Sequence, residues 1–211
     1  MNKKVTFSIG IIGVSLLFSA FVLGGLLIEN YDIFNRYISE SYAIDTKYGI
    51  YLRVFGYIPG GVMITLFCFL GLNYFQPNTL LKIGFYGIGI FYGLGTIFTG
   101  IFPCDSGCNR ELIDPSFSQI VHNFSALLMY LLTPLFMILI GLGLKKSIHI
   151  SFSIQCYLLG LISSFFVITL GSDLISEYVG IYQRIIEFLL ILWVVLCAFE
   201  IKKNRLHFIK V

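Results

Sequence analysis

Five long stretches of the chain contain no Asp, Glu, Lys or Arg, and this feature constrains the fold more than any other. They cover residues 5–28, 54–75, 83–102, 119–144 and 151–171. The hydrocarbon core of a bilayer is about 30 Å thick, which a helix of roughly 20 residues can cross. Each stretch therefore predicts a transmembrane helix.

A sixth transmembrane helix is predicted over residues 180–200. Its uncharged part, residues 188–199, has only 12 residues and cannot span a bilayer alone, so Arg184 and Glu187 must lie within the outer part of the helix. The chain is 57% hydrophobic and only 12% charged, whereas soluble domains carry about 25% charged residues. The predicted fold class is an all-α membrane protein, a six-transmembrane-helix bundle that forms one integral membrane domain over residues 1–211.

Basic residues predict the orientation of this bundle. Six passes place both termini on one side, where nine of the 14 Lys and Arg residues fall. Because short cytoplasmic loops are enriched in Lys and Arg, we expect both termini in the cytoplasm and a multi-pass protein in the cytoplasmic (inner) membrane. A basic tail over residues 202–210 is interpreted as an anchor to anionic lipid. Membrane lipids are therefore the expected partners, and nucleic acid is not.

The two long connections, residues 29–52 and 103–119, lie on the opposite, outward side. Between Phe34 and Ser41, apolar residues recur at helical spacing and face away from charged ones. This pattern predicts a short helix that lies in the membrane interface.

Ionisable side chains gather at the predicted outward ends of the helices. Asp105 follows the third helix, His122 lies about one turn inside the fourth, and Arg53 precedes the second. Arg184 and Glu187 are three residues apart and share a helix face. Ionisable groups at membrane depth are costly and usually face the bundle interior or a water-filled cavity. These five residues are candidates to line an outward-facing polar pocket, in which the Asp105 carboxylate would bind the His122 ring.

The alternative interpretation is that these residues have only structural roles. Arg184 and Glu187 would then form an ion pair that reaches water at the interface, and Asp105 with His122 would only tie a loop to a helix end. The chain contains no nucleotide-binding loop, nucleophile elbow or zinc-protease motif. The sequence therefore leaves open whether the protein is an enzyme.

Two of the five cysteines share the second outward loop. Cys104 and Cys108 would lie in an oxidising compartment, where a structural disulfide is expected. A reactive thiol pair is the second interpretation. A metal site that adds Asp105 and His122 is chemically allowed, because zinc accepts sulfur, nitrogen and oxygen ligands. The C-x-x-x-C spacing is a weak signal for a metal, so we predict no metal and no cofactor.

The third predicted helix carries six glycines, of which Gly89 and Gly93 form a G-x-x-x-G motif. Small residues let helix backbones approach closely in a membrane. The motif predicts close packing within the bundle, with formation of a homo-oligomer through the Gly89/Gly93 face as the alternative.

Three segments resemble a family of multi-pass prokaryotic membrane proteins, domain of unknown function 998. They are residues 100–105, 119–123 and 180–184, which are similar to the family's F-P-x-D element after the third helix, its histidine at the start of the fourth and its G-x-x-x-R at the start of the last. The resemblance implies a six-helix bundle and groups Asp105, His122 and Arg184. It implies no activity.

The sequence predicts a membrane protein of unknown activity whose outward pocket binds a lipid or small amphiphile. An anionic headgroup would suit Arg53 and Arg184. One alternative is a membrane thiol-disulfide oxidoreductase that uses Cys104 and Cys108 as its redox pair. Another is a non-catalytic membrane scaffold.

Overall fold

The computed structural model describes residues 2–29, 31–76 and 78–203, and this part of the chain contains helices and no strand. The predicted all-helical fold is thereby confirmed. The end of the basic tail, with Arg205 and Lys210, lies outside the described residues. The long helices are α1 (Lys3–Leu27), α2 (Gly49–Tyr74), α3 (Thr79–Ile101), α4 (Phe117–Leu144), α5 (Ile150–Ser172) and α6 (Val179–Lys203).

Helices α1 to α5 are long and apolar enough to cross a membrane, which makes the chain a multi-pass membrane protein. Large apolar side chains such as Phe55, Phe117 and Ile168 lie exposed on the outside of the bundle. In water such a surface would be an aggregation hazard. In a bilayer it is the surface that contacts lipid tails.

Capping side chains set where several helices begin. Asn2 accepts a hydrogen bond from the backbone N–H of Lys4, and Asn78 accepts one from Leu81. The side chain of Ser116 does the same at the start of α4. Each cap satisfies a backbone donor that the first helical turn leaves free.

Helix α2 begins about one turn earlier than predicted, at Gly49 instead of residue 54. It continues through a π-helical turn over Arg53–Tyr57. Arg53 therefore lies within the helix and not before it. Its guanidinium Nε donates to the carbonyl of Gly49 in the preceding turn, 3.3 Å away, which lets a charged residue extend the helix.

Helix α6 is packed into the core through its middle. Trp193 is almost fully buried, its ring meets Phe85 of α3 edge to face at 5.9 Å, and its indole N–H points to the sulfur of Cys156 on α5. In a bilayer, helices associate through van der Waals packing and interhelical hydrogen bonds, and Trp193 contributes to both. The helix that carries Arg184 and Glu187 is therefore held by the rest of the bundle.

The two ends of the bundle differ. At one end, the Thr6 hydroxyl of α1 lies 3.2 Å from that of Tyr74 in α2, and the Lys202 ammonium lies 4.5 Å from the ring centroid of Phe7. We call this the terminus end, because it joins the start of α1 to the end of α6. The opposite end, the loop end, contains residues 31–48, 102–116 and 173–178.

The prediction that residues 34–41 form a helix in the membrane interface is wrong. The structure forms a short 3-10 helix over Ile38–Tyr42 instead, and all five of its residues are buried at the loop end. The backbone N–H of Ile38 donates to the side-chain oxygen of Gln183 in α6 at 2.6 Å. This contact holds the segment between the helices, whereas amphipathic spacing alone suggested a position on the surface.

The G-x-x-x-G motif of α3 faces α2 of the same chain. A Cβ atom at Gly89 would lie 2.8 Å from the Phe69 ring, and one at Gly93 would lie 2.8 Å from the backbone nitrogen of Thr65. The Thr65 hydroxyl donates to the Gly89 carbonyl at 3.2 Å. Contact between two copies through this face would require α2 to be displaced.

Candidate functional site

A cavity of about 550 Å³ lies inside the bundle near the loop end. Helices α4, α5 and α6 form most of its wall, and residues of α1, α2, α3, residues 37–42 and the loop with Cys108 and Arg110 complete it. Most of the lining side chains are apolar. Cavities of roughly 300–1,000 Å³ with a few polar groups are typical of small-molecule sites.

Helices α4 and α5 are in close contact below this cavity, towards the terminus end. A Cβ atom at Gly160 would lie 2.7 Å from the carbonyl oxygen of Pro134, and one at Gly141 would lie 2.9 Å from that of Ser153. The Ser153 hydroxyl also donates to the Gly141 carbonyl at 2.6 Å. These contacts close the gap between the two helices on that side.

The same two helices diverge towards the loop end, where the cavity opens between them. Leu127 and Leu131 of α4 and Ile168 of α5 line the cavity, yet they are 59%, 51% and 72% exposed. A Cβ atom at Gly171 would have no neighbour within 4 Å. The opening is therefore lateral and apolar, on the side of the bundle that faces lipid.

A chain of hydrogen bonds forms the polar floor of the cavity. The Glu187 carboxylate accepts from the hydroxyls of Tyr130 at 2.8 Å and Tyr92 at 3.1 Å. The side-chain amide of Gln183 donates to the Tyr130 hydroxyl at 2.9 Å while its oxygen accepts from the backbone of Ile38. Donors in such a chain polarise one another, and all of them point towards Glu187.

No basic side chain pairs with Glu187 in the described part of the chain. The two ion pairs found among the described residues join Arg110 to Glu40 and His149 to Glu200. A carboxylate inside a protein needs hydrogen bonds or a counter-charge to offset lost hydration. Glu187 has the hydrogen bonds but lacks the counter-charge.

Aromatic rings form the wall above this floor. The Tyr42 and Tyr57 rings are 4.3 Å apart between centroids, and the His122 ring lies 6.0 Å from that of Tyr42. The Nδ1 atom of His122 is 2.9 Å from the Phe102 carbonyl and must donate to it. Tyr57 lines the cavity, and its buried hydroxyl has no hydrogen-bond partner among the described residues.

The predicted hydrogen bond between Asp105 and His122 is wrong. The Asp105 carboxylate accepts instead from the backbone and hydroxyl of Ser116, at 3.0 and 2.5 Å. These hydrogen bonds lower the pKa of Asp105. The ionised carboxylate therefore stabilises the folded state, and this contribution is lost as the pH falls through that pKa. The Asp105 carboxylate binds Ser116 and not His122 because Ser116, at the start of α4, offers two donors, whereas the Nδ1–H group of His122 donates to the Phe102 carbonyl. Asp105 does not line the cavity.

Arg184 also lies away from the cavity lining, and it forms no ion pair with Glu187. Its guanidinium donates to the carbonyls of Ile33, Arg36 and Gly180 at 2.8 to 2.9 Å. It also donates to the Tyr31 hydroxyl at 3.0 Å. Arg184 thus fastens the loop residues 31–36 to the start of α6.

The cationic residue that does line the cavity is Arg110, which the sequence analysis missed. Its guanidinium pairs with the Glu40 carboxylate, donates to the carbonyl of Asn35 and stacks 4.8 Å from the Tyr37 ring. Arg53, by contrast, contributes nothing to the lining. The only sequence signal for Arg110 is its position two residues after Cys108, in a loop that returns over the bundle.

Cys104 and Cys108 are joined by a disulfide, with their Cα atoms 4.8 Å apart. Both are buried, at 0% and 7% exposure, and the Cys108 sulfur lies 3.3 Å from the Ser39 hydroxyl. The bond closes this loop on itself, and the contact from Cys108 to Ser39 places the loop against the segment Ile38–Tyr42 at the cavity wall. The described residues contain no group of three or more His, Cys, Asp or Glu side chains placed to hold a metal.

Replacing both Cys104 and Cys108 by serine is expected to lower the free energy of unfolding by about 2 kcal/mol, because so short a closed loop restricts the unfolded chain only moderately. Thermal unfolding in detergent should show a lower Tm. Reductant should lower the Tm of the unaltered protein in the same way and leave the double variant unchanged. Equal Tm values for the two proteins would show that the bond contributes nothing.

The profile of one protein family, described as "Protein of unknown function (DUF998)", matches residues 11–200. This range runs from α1 into α6 and includes every residue of the cavity wall and floor. Comparison with curated proteins and with solved structures found no match.

Proposed function

The chain belongs to the DUF998 family, and since that description assigns no activity, we propose from the cavity itself that the protein binds a membrane lipid or another amphiphile. The apolar part of the ligand enters from the bilayer between α4 and α5. Its polar head rests on the floor formed by Glu187, Gln183 and Tyr130. His122 lies in the wall, beside the head.

One observation carries this proposal: the cavity opens sideways through apolar residues, and loop segments lie over its end. The disulfide loop and the segment Ile38–Tyr42 cover the loop end. A water-soluble ligand would need an opening towards water. A lateral opening with exposed leucines instead suits a ligand that already resides among lipid tails.

We further propose that the protein lies in the inner membrane, spans it six times and has both termini in the cytoplasm. Helix α6 has 25 residues, enough for about 37 Å at 1.5 Å per residue. It returns beside α5 from a short connection over residues 173–178, and it ends beside the start of α1. Basic residues gather at the terminus end, as expected for a cytoplasmic face: Lys3, Lys4, Lys82, Lys145, Lys146, Lys202 and Lys203.

The structure changes the kind of head that the ligand is expected to carry. Arg53 and Arg184, which suggested an anionic headgroup, both donate to backbone carbonyls and do not line the cavity. Arg110 does line it, but its charge is paired with that of Glu40. An anionic head therefore has no free cation to meet there.

Redox turnover is not proposed for the cysteine pair. Thiol-disulfide exchange requires a thiolate to reach one of the two sulfurs. Both cysteines are buried beneath the loop. The bond therefore serves the cavity's cover in this proposal.

Replacing Ala126 by tryptophan is expected to remove bound lipid while the protein still folds. Ala126 lines the cavity, and it is one turn from both His122 and Tyr130 on the inward face of α4. An indole there occupies space that the ligand needs. Mass spectrometry of lipids that co-purify with the protein measures the effect, and we expect at least about a tenfold loss.

Leu135→Trp provides the matched control, because Leu135 is on the same helix but exposed and outside the cavity lining. Lipid content of this variant should match that of the unaltered protein. If Ala126→Trp retains its full lipid content with an unchanged Tm, the cavity is not a lipid site. A non-catalytic scaffold would then be the better hypothesis.

A further inference from the structure

The charge balance of the cavity indicates which amphiphiles it selects. Among the lining residues, Glu187 has a carboxyl group that pairs with no basic side chain of the described residues, while Arg110 is paired with Glu40. The site therefore offers one uncompensated carboxylate in a mainly apolar space. A positively charged group on the ligand would supply the counter-charge that this carboxylate lacks.

The hydrogen-bond chain fixes one Glu187 oxygen as an acceptor. Gln183 accepts from the Ile38 backbone, so its other terminus is the amide nitrogen, which must donate to Tyr130. The Tyr130 hydroxyl must then donate its own proton to Glu187. Glu187 thus presents to the cavity an oxygen that already accepts one hydrogen bond and can contact a cationic group.

Aromatic faces and an unpartnered hydroxyl accompany the carboxylate. The rings of Tyr42 and Tyr57 lie side by side on the wall, tilted by 42° to each other, and Tyr37 already holds the guanidinium of Arg110 over its ring at 4.8 Å. Tyr57 is 7% exposed, and its hydroxyl has no partner among the described residues. Aromatic rings around a negative charge are a recurrent means of binding organic ammonium ions.

We propose that the cavity selects amphiphiles with a positively charged ammonium head, with Glu187 as counter-ion and Tyr42 and Tyr57 as the aromatic wall. This inference rests on the proposed function, since it assumes that an amphiphile occupies the cavity. The head lies near the floor, and the apolar tail leaves between α4 and α5. The Tyr57 hydroxyl accepts from an N–H group of the head when the head has one.

Three probes with the same twelve-carbon tail test the proposal: dodecyltrimethylammonium, dodecanol and dodecyl phosphate. The purified full-length chain is held in dodecyl maltoside, which is uncharged, and the Tm is measured as each probe is added at equal mole fraction. A ligand that binds the folded state raises the Tm. We expect the ammonium probe to bind about tenfold more tightly than either of the others.

Glu187→Gln should reduce the affinity for dodecyltrimethylammonium about tenfold and leave that for dodecanol unchanged. Glu111→Gln makes the same charge change in an exposed loop outside the cavity lining, and it should preserve the preference. Tyr57→Phe removes an unpartnered hydroxyl and costs no native hydrogen bond. It should therefore fold even if Glu187→Gln does not. With dodecylammonium in place of the trimethylated probe, Tyr57→Phe should weaken binding several-fold.

Each failure has a distinct meaning. Equal binding of the three probes, or an ammonium preference that survives Glu187→Gln, would overturn the inferred selectivity and leave amphiphile binding in place. If Glu187→Gln does not fold, unchanged dodecylammonium binding by Tyr57→Phe would overturn it. No stabilisation by any of the three probes would contradict the proposed function itself.

Discussion

Replacing Arg184 by glutamine is expected to lower the free energy of unfolding by about 3 kcal/mol, because hydrogen bonds that involve a charged group contribute about 1.5–3 kcal/mol each. The guanidinium of Arg184 donates to three backbone carbonyls and to the Tyr31 hydroxyl. A glutamine amide is shorter and has only two N–H groups. At least two of these hydrogen bonds would be lost, and residues 31–36 would be held less firmly to α6, through the backbone hydrogen bond from Ile181 to the Phe34 carbonyl.

The measurement is thermal or denaturant unfolding of the purified protein, with Arg36→Gln as the control. Arg36 is in the same loop and its guanidinium lies 6.0 Å from the Tyr31 ring, but its side chain makes none of the hydrogen bonds that Arg184 makes. Its replacement should change stability by less than about 0.5 kcal/mol. If Arg184→Gln instead keeps its Tm and only loses bound lipid, Arg184 belongs to the ligand site and the structural role is wrong.

Arg184 and Glu187 show how far helical periodicity can predict a site. Three residues apart, they share a broad face of α6, and the sequence analysis grouped them in one pocket on that basis. Within that face, however, Glu187 points to the cavity and Arg184 to the loop that covers α6. The difference depends on where residues 31–36 fold back, which no local pattern encodes.

Asp105 was misplaced for a related reason. The helix ends and the depth of His122 follow from apolar runs, because a bilayer imposes a minimum length on each span. The partners of a loop carboxylate follow from which donors the folded loop brings near. Ser116 is a helix cap that satisfies both carboxylate oxygens, and a cap is visible in sequence only once the start of α4 is known.

The floor residues Tyr92, Tyr130 and Gln183 were missed because they are uncharged. Predicted spans are recognised by their lack of charge, and Tyr92 and Tyr130 do not interrupt those apolar runs. A signal was nevertheless present: Gln183 is one turn before Glu187, and Tyr130 is two turns after His122. A search for polar residues at helical spacing from each membrane-depth charge would have found both.

Gly93→Ala is expected to destabilise the protein by about 3 kcal/mol, the upper part of the range for an overpacked core. A Cβ atom at Gly93 would come within 2.8 Å of the Thr65 backbone nitrogen, and one at Gly61 would come within 2.6 Å of the Gly93 carbonyl. Backbone atoms on both sides of this crossing cannot move aside as a flexible side chain can. Separation of α2 from α3 would also release the hydrogen bond from Thr65 to Gly89.

Gly95→Ala, two residues further along α3, is the matched control. The nearest atom to a Cβ there is 3.4 Å away, in Met129, so the methyl group should fit, and alanine favours a helix over glycine by about 1 kcal/mol. The pair also separates the two roles of the G-x-x-x-G motif. If Gly89 and Gly93 joined two copies of the chain, Gly93→Ala would reduce the molecular mass measured by light scattering at an unchanged monomer stability. Because this face packs on α2, we expect a lower Tm with no change in mass.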